Sequence, residues 1–446
     1  MYDFMEYCLR RYYRASGWNE DNQYSHLCAT SRALLDFQAP TGLSLRLSKL
    51  PSSVFKTTTT MNALPILEGS VGYLFTSRAL MIDDSASVRF RHLVDRFRII
   101  CLDHSIREAD QWTDAQRSLK SRIDYLLCGR MNLANARLEM LYSRRISKHR
   151  QYVLSGISDP ASRSASHMSA QFQYDKGKYC AEMSFTTDDG LIGVRGLYNF
   201  GKDFDDSYDD MQKEGRHLLR ERAGYLGEET ADEESVPSER IRGYWSAGAE
   251  VYYSATEKLG GLSTGLRYRT LPPLAPATIS EDKEKSSQES TGVIPRYPTS
   301  TAPEHHQNYI PITITQTLNP IMGHVSSSYA AQVHPDLGLC SRFDFNLYSY
   351  DSELTAGVEW WIRERKGANR TGSLSSSSTS GTSELSTQPI VGVIKARLGV
   401  QSGLAIMWEG RFNKLLFSLG FVGHVFSPHA QAPIVKSVGL EIQYFS

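Results

Sequence analysis

The segment SHMSAQFQYDKGKYCAEMSFTTDDGLIGVRGLYN, residues 166–199, alternates apolar and polar side chains with a period of two. Its apolar positions are Met168, Ala170, Phe172, Tyr174, Tyr179, Ala181, Met183, Phe185, Ile192, Val194 and Tyr198. Two short polar stretches, DKGK and DDG, interrupt the alternation, and each contains a glycine suited to a tight turn. The segment therefore predicts three consecutive β-strands joined by two hairpins, each strand with one apolar face.

The same alternation recurs from Leu43 to the end of the chain. Further examples are GLSLRLS, GSVGYLF, WSAGAEVYY, GLSTGLRYR, RFDFNLYSY, LTAGVEWW, VGVIKARLGV and VGLEIQYF. A generous count gives about 18 to 20 segments of roughly 8 to 11 residues, the length with which a tilted strand crosses a bilayer. Aromatic residues lie near the ends of the apolar faces, as the interfacial girdles of a membrane barrel require.

This pattern predicts an all-β fold, a transmembrane antiparallel β-barrel of about 19 strands of the porin-like kind. A soluble β-sandwich would alternate in the same way and is the commoner architecture. It rarely needs so many strands in one domain, however, whereas a closed barrel removes every sheet edge.

The composition excludes several functional classes. Lys+Arg and Asp+Glu both number 49, so the chain lacks the basic excess typical of nucleic-acid binding and we expect no nucleic-acid partner. No apolar run is long enough for a transmembrane helix, although polar lumen-facing residues would hide membrane strands from such a test. The six cysteines are scattered without a C-x-x-C pair, which indicates isolated reduced thiols.

The first 40 residues differ from the rest. Apolar side chains recur there at helical spacing, so residues 1–40 are predicted to form a helical segment in or near the lumen, and residues 41–446 a single barrel. Long polar insertions at about 201–240, 272–305 and 363–389 should project into water between strands. The segment VRFRHLVDRFRII, residues 88–100, fits a basic amphipathic helix and a strand equally well.

Motifs that could carry catalysis or bind metal have simpler explanations. GLSTG, residues 261–265, matches the nucleophile-elbow pattern, but it lies inside an alternating strand, so Ser263 is expected to be a lumen or surface serine. His305 and His306 lack a third ligand at suitable spacing. The sequence therefore predicts no catalytic residue, no cofactor and no metal, and a protein that is not an enzyme.

The N-terminal segments of the chain carry the most specific resemblance to a known family. DFMEY, followed by SGWNEDNQYSHLCATSRALLDFQAPTGLSLRLSKL and then GSVGYLF, closely resembles a fungal family of mitochondrial outer-membrane barrels named for mitochondrial distribution and morphology. The resemblance implies a mitochondrial outer-membrane location, nineteen strands with the first and last pairing in parallel, and an N-terminal segment inside the lumen. It implies a role as the barrel subunit of the ER–mitochondria encounter structure, which binds soluble lipid-transfer subunits. It also implies association with the sorting and assembly machinery, which inserts outer-membrane barrels, and with translocase subunits that this machinery assembles.

The resemblance also suggests site residues. Ser437, Gly439, Ile442 and Tyr444 resemble the sorting signal carried by the last strand of mitochondrial outer-membrane barrels, with Ile442 and Tyr444 facing lipid. Outward aromatic residues would pack on neighbouring barrels or membrane lipids. Tyr73 and Phe75 are the first candidates for a partner interface, followed by Trp360, Trp361 and Phe421, although ordinary girdle residues would look the same.

Two other functions fit parts of the pattern. A porin-like metabolite channel would share the fold and keep an open lumen. A soluble all-β carbohydrate-binding or hydrolytic protein would share the alternation but would not need a membrane.

Overall fold

The computed structural model describes residues 1–64, 66–80, 82–98, 124–160, 166–200, 243–270, 310–364, 389–423 and 435–446. Among them, helix α1 spans Phe4–Ser16 and helix α2 spans Ala29–Leu35. The strands are β1 Gly42–Lys49, β2 Phe55–Leu64, β3 Glu68–Thr76, β4 Asp124–Asn132, β5 Leu138–Ser147, β6 Arg150–Ser158, β7 His167–Asp175, β8 Tyr179–Thr186, β9 Leu191–Phe200, β10 Gly243–Ser254, β11 Leu259–Thr270, β12 Ile312–Asn319, β13 His324–His334, β14 Leu337–Asn346, β15 Ser352–Arg363, β16 Ile390–Gly399, β17 Gly403–Phe412, β18 Leu415–Gly423 and β19 Val435–Phe445. Neither helix is long and apolar enough to cross a membrane.

The nineteen strands form one closed sheet. Each strand pairs antiparallel with its neighbours in sequence, and β1 closes the barrel by pairing in parallel with β19. A parallel pair is unavoidable because an odd number of alternating strands leaves the first and last running in the same direction. The predicted barrel of about 19 strands is therefore confirmed, together with its parallel closing pair.

Alternation along the strands separates two surfaces of the wall. In the hairpins of β7, β8 and β9, Phe172 pairs with Met183 and Met183 with Val194, and these three side chains are exposed on the outside. Their neighbours Gln173 and Glu182 point inward and are buried. The apolar exterior and polar interior are those of a barrel that faces lipid.

Aromatic side chains form a girdle near one end of the wall. Ring contacts link Phe75 to Tyr125 at 6.1 Å and Tyr125 to Tyr142 at 6.4 Å. Farther round the barrel, Trp245 and Tyr268 lie 4.9 Å apart. Phe75 and Tyr125 lie near the strand ends where β3 leads to β4, and Trp245 and Tyr268 lie near the start of β10 and the end of β11, as interfacial anchors do.

The four longest connections join strand ends at this same end of the wall, which we call the loop rim. They join β3 to β4, β9 to β10, β11 to β12 and β15 to β16. The opposite end, the turn rim, has short connections such as those between β10 and β11 and between β12 and β13. Apart from residues 363, 364 and 389, the predicted insertions at 201–240, 272–305 and 363–389 lie outside the described residues. The described strands on either side of each insertion have their adjoining ends at the loop rim.

The N-terminal segment lies in the lumen, as predicted, and follows the inner wall almost all the way round. Met5 in α1 contacts the β3–β4 wall, and Asn22 donates a hydrogen bond to Asp175 on β7. Tyr24 reaches β11, α2 packs on β13 to β16, and Pro40 passes over β18 and β19 before β1 begins. One stretch of about forty residues therefore contacts most of the barrel from inside.

A second stretch, residues 82–98, also enters the lumen and completes its core. A short 3-10 turn at Phe90–His92 is its only regular structure among the described residues, so this part of VRFRHLVDRFRII forms neither a long helix nor a strand. Phe90 packs on Trp361 of β15, and the Leu93 carbonyl accepts a hydrogen bond from the Tyr2 amide at 2.8 Å. The largest buried cluster thus runs from the β3–β4 wall through α1 and this stretch to β15 and β16.

Candidate assembly seam and partner-binding surfaces

The C-terminal strand presents its candidate signal residues on both faces of the wall. Ser437 and Gly439 point toward the lumen, whereas Ile442 and Tyr444 point outward and are half-buried. Opposite them across the parallel closing pair, Leu45 faces Ile442 and Leu47 faces Tyr444. The structure therefore brings the two apolar signal residues together at the seam where the barrel closes.

Gly439 is constrained by the N-terminal segment. A Cβ atom at this position would lie 2.4 Å from the Pro40 carbonyl oxygen and 2.6 Å from the Thr41 Cα. Gly420 on β18 faces the same crossing, with a Cβ position 2.6 Å from the Pro40 Cδ. Since real Cβ contacts are not this short, only glycine lets the chain pass from the lumen into β1 here.

This contact could not be read from the sequence. Pro40 and Gly439 are almost the whole chain apart, and no local pattern links them. The one available signal is the glycine itself, since an intrastrand glycine marks a bend or a close backbone approach.

Tyr73 and Phe75 both point outward from β3, as predicted. Tyr73 is 46% exposed, and its ring covers Gly129, where a Cβ would lie 2.7 Å from the Tyr73 Cζ. Phe75 lies closer to the loop rim and is half-buried against Tyr125. Two adjacent aromatic side chains over a glycine make a flat apolar surface that a neighbouring barrel or lipid can cover.

Trp360 also points outward, at 55% exposure, but it lies on β15, on a different part of the wall from β3. The prediction for Trp361 was wrong. Because successive strand residues face opposite sides, Trp361 points into the lumen, is 4% exposed and donates from its Nε1 to Glu359 at 2.6 Å. Phe421 points outward from β18 and pairs in register with Val438 near the seam.

A buried charged cluster ties the two lumen segments to the wall. Lys395 on β16 is 1% exposed, and its Nζ donates to the carbonyl oxygens of Ala33 in α2 and of Asp95. Glu359 lies opposite Lys395 in the sheet register and accepts a hydrogen bond from the Phe97 amide at 3.2 Å. The sequence analysis did not predict this cluster. The one sequence feature that could have indicated it is an acidic and a basic residue at inward positions of adjacent strands.

Asp95 joins this cluster from the second lumen segment. Burial alone would raise the pKa of its carboxyl, but Lys395, the Tyr2 hydroxyl and Arg10 outweigh burial and hold that pKa below its usual range. The Tyr2 hydroxyl donates to Asp95 at 2.6 Å. The cluster therefore holds α1, α2 and residues 82–98 against one another and against β16.

Of the motif residues, the structure describes Ser263 but not the two histidines. Ser263 faces the lumen, as predicted, and its hydroxyl lies 2.9 Å from the Tyr24 hydroxyl, within a strand and not at a strand-to-helix turn. His305 and His306 lie outside the described residues. The five described cysteines are free thiols, as predicted, and Cys101 lies outside the described residues.

Comparison with known proteins identifies the family. The family model described as Mitochondrial distribution and morphology protein 10 matches residues 1–389 and 374–446. The chain belongs to this family.

Three relatives in the mitochondrial distribution and morphology protein 10 family match along their full length. The protein of that name from Postia placenta is 39% identical over 467 aligned residues, and the one from Laccaria bicolor is 39% identical over 472. A third, from Phaeosphaeria nodorum, is 36% identical over 454. In all three comparisons the alignment covers 100% of this chain and of the relative, so the N-terminal lumen segment and the C-terminal strand lie within the matched length.

Proposed function

We propose that this protein is the mitochondrial outer-membrane anchor of the ER–mitochondria tethering complex, acting in phospholipid exchange and in mitochondrial morphology and inheritance. We propose further that it joins the sorting and assembly machinery and so supports biogenesis of outer-membrane barrels and of the translocase. The observation that carries the proposal is that one family-typical barrel combines a lipid-compatible wall with all its longest connections on a single rim. Such a molecule is built to hold partners at a membrane surface.

The loop rim and the outer wall suit different partners. The strand ends that the four longest connections join all lie at the loop rim, so soluble lipid-transfer subunits would bind there. The outer wall presents Tyr73, Phe75 and Trp360, which would pack on membrane lipids or on barrel subunits of the insertion machinery.

The filled lumen favours a scaffold over a porin-like channel. Buried side chains connect the β3–β4 wall through α1 and residues 82–98 to β15 and β16, so the described residues cross the lumen. Charged contacts from Lys395 and Glu359 hold this filling in place. A cavity of about 540 Å³ remains beside α1, lined mainly by β3 to β8.

We propose that the last strand also carries the sorting signal. Before closure, β19 has backbone groups without a partner on one edge, and these can pair with an open strand edge of the insertion machinery. Ile442 and Tyr444 then provide an apolar outer face for recognition, and β1 later takes the place of that edge.

Affinity purification of the tagged full-length chain from mild-detergent extracts of fungal mitochondria tests the proposal. We expect both soluble lipid-transfer subunits and barrel-insertion subunits to co-purify. Tyr73→Ala with Phe75→Ala should reduce recovery of the insertion subunits, whereas the control Phe172→Ala, another outward aromatic, should not. Recovery of neither partner group with the unmodified chain would overturn the proposed function.

A further inference from the structure

The cavity beside α1 is apolar at the end that lies nearer the loop rim. This lumen cavity has a volume of about 540 Å³ and lies between α1 and the inward faces of β3 to β8. Met5 and Leu9 line it from the helix, and Leu74, Leu126 and Leu141 line it from the wall. Leu74 and Leu126 lie near the loop-rim ends of β3 and β4 and, like Met5, are buried. This end of the lumen cavity is therefore apolar and shielded from water.

The other end of the lumen cavity, at the turn rim, is polar. There the sheet register places four inward residues of β4 to β7 side by side, which we call the mouth row: Arg130, Glu139, Ile157 and His167. Glu6 of α1 lines the same cavity. The side chains of Glu6 and Glu139 are 47% and 45% exposed, so this end is open to water. The lumen cavity thus opens at a row that carries both signs of charge.

A second cavity lies on the outer face of the same strands. This outer groove has a volume of about 370 Å³, and the outward residues that line it include Met140, Gly156 and Met168. Gly156 leaves the wall thin here, because a Cβ atom at this position would lie 2.6 Å from the Met140 Cε. Four residues line both cavities: Met140, Gly156, Ile157 and His167. The outer groove and the lumen cavity therefore meet at the turn-rim ends of β6 and β7, where Ile157 and His167 form the last register pair.

The two cavities together suit a ligand with two apolar chains and one charged head. Both volumes lie within the range of about 300–1,000 Å³ that is typical of small-molecule sites, and both cavities have apolar linings for a chain. The mouth row between them offers a guanidinium from Arg130 and a carboxylate from Glu139, which match the phosphate and the ammonium of a zwitterionic headgroup. Arg130 pairs with Asp3, and Glu139 pairs with Arg137 at 3.4 Å. Exposed ion pairs of this kind contribute little and can be exchanged for contacts with a ligand.

We propose that a zwitterionic diacyl phospholipid, with a phosphocholine or phosphoethanolamine headgroup, binds astride the turn-rim end of β5 to β7. One acyl chain lies in the lumen cavity and the other in the outer groove, so both run from the turn rim toward the loop rim, as the chains of the adjoining leaflet do. A second barrel could cover the outer groove but could not reach the lumen cavity. A polypeptide segment would leave its backbone groups without partners against the apolar lining. The inference does not depend on the tethering role proposed above, because it requires only the barrel and a lipid.

Photolabelling of the full-length chain refolded into phosphatidylcholine vesicles tests this proposal. The probe is a phosphatidylcholine that carries a diazirine at the end of one acyl chain, and peptide mass spectrometry locates its adducts. Every surrounding lipid should label outward residues such as Phe172. Only a lipid in the proposed site should also label the inward residues Met5, Leu9 or Leu141. Adducts confined to outward residues would overturn the proposal.

Filling the lumen cavity should remove the inward adducts and leave the outward ones. Leu141→Trp should reduce labelling of Met5 and Leu9 about tenfold, because excluding even two methylene groups of the chain corresponds to a factor of this size. The matched control Leu154→Trp alters an outward residue of β6 and should leave the inward adducts unchanged. Ile157→Trp, at the edge that both cavities share, should give the same loss and decides the matter if Leu141→Trp does not fold. Inward adducts that persist in a folded cavity variant would overturn the proposal.

Reversing a charge in the mouth row tests the headgroup. Glu139→Lys should lower inward labelling by the phosphatidylcholine probe, in competition with unlabelled phosphatidylglycerol, about two- to fivefold, the range for an exposed ion pair. Glu257→Lys changes an exposed acid on the turn between β10 and β11 and is the matched control for rim charge. Labelling that is the same in both variants, or stronger inward labelling by a single-chain lysophosphatidylcholine probe, would overturn the proposal.

Discussion

At the scale of the residue, Gly439 links two features that the sequence presents separately. It belongs to the C-terminal pattern of Ser437, Ile442 and Tyr444, and it is also the point where the N-terminal segment leaves the lumen. The closed barrel therefore requires glycine at position 439. This requirement is independent of any recognition of the residue by the insertion machinery.

Gly439→Ala should destabilise the folded barrel even when no insertion machinery is present. The new Cβ would press on the Pro40 carbonyl oxygen and Thr41, and overpacking of this kind costs about 1–3 kcal/mol. Urea unfolding of protein refolded in detergent micelles measures the effect. Gly196→Ala is the matched control, because its Cβ would lie 3.9 Å from the Cys180 carbonyl oxygen, an ordinary van der Waals contact, and should cost little. Equal stability of the two variants would contradict the proposed crossing.

At the scale of the element, β19 performs two tasks on its two faces. Its inward side chains bind the lumen segments, as when Gln443 donates to the Tyr2 carbonyl oxygen at 3.4 Å and Phe445 packs on Phe4 at 5.4 Å. Its outward side chains are free of such contacts and can be recognised before the barrel closes.

This division predicts a separation of sorting from folding. Ile442→Ala with Tyr444→Ala should impair assembly of imported chain into isolated mitochondria, because both residues belong to the proposed signal. Refolding in micelles should change little. Val438→Ala with Leu440→Ala alters the same outward face outside the signal and should assemble normally. Equal import defects in both pairs would argue against a specific signal.

Residues 82–98 contain a histidine whose burial makes their packing depend on pH. Burial lowers the pKa of His92 to about 4, and the charges of Arg14 and Arg11 contribute. An unfolded histidine titrates near 6.5, so between pH 6.5 and about 4 the unfolded stretch binds more protons than the packed one. Packing of this stretch should therefore be fully stable above pH 6.5 and weaken as the pH falls through that window.

Amide hydrogen exchange of residues 90–98, corrected for intrinsic rates, measures this loss. Exchange should accelerate as the pH is lowered from 7 to 4.5 in the unmodified protein. His92→Gln should remove most of the pH dependence, because glutamine does not titrate. An identical pH profile in the variant would rule out His92 as the cause.

The elements could be predicted from the sequence to different extents. Strands such as β7, β8 and β9 follow from local alternation and turn residues, and α1 and α2 from helical spacing. The path of residues 82–98 could not be predicted, because these residues pack on distant elements and not on sequence neighbours. Phe90 and Leu93 are buried in the cluster with α1, β15 and β16, and Phe97 is buried in the cluster with α2, β13 and β14. The prediction that Trp361 lies on the outer surface was wrong because Trp361 directly follows Trp360 in one strand. Consecutive strand residues face opposite sides, so only one of the two tryptophans can point outward.

At the scale of the whole molecule, the lumen is a packed core held by a few charged groups. Lys395 joins α2 and residue 95 to the wall, and Glu359 balances its charge. Removing one member of a buried charged pair leaves the other uncompensated, which typically costs about 3–5 kcal/mol.

Lys395→Met should therefore loosen the lumen filling and raise conductance in planar bilayers. The unmodified protein should show a low, steady conductance, and the variant larger and fluctuating steps. Lys436→Met, which alters an exposed lysine on β19, is the control and should behave like the unmodified protein. A large open conductance in the unmodified protein would favour the porin-like channel instead.

We propose that the chain is an integral β-barrel of the mitochondrial outer membrane. The most direct measurement combines alkaline carbonate extraction of isolated fungal mitochondria with density-gradient separation of outer from inner membrane vesicles. We predict that the protein stays in the carbonate-resistant pellet and migrates with outer-membrane vesicles. Release into the supernatant, or migration with the inner membrane, would contradict the account.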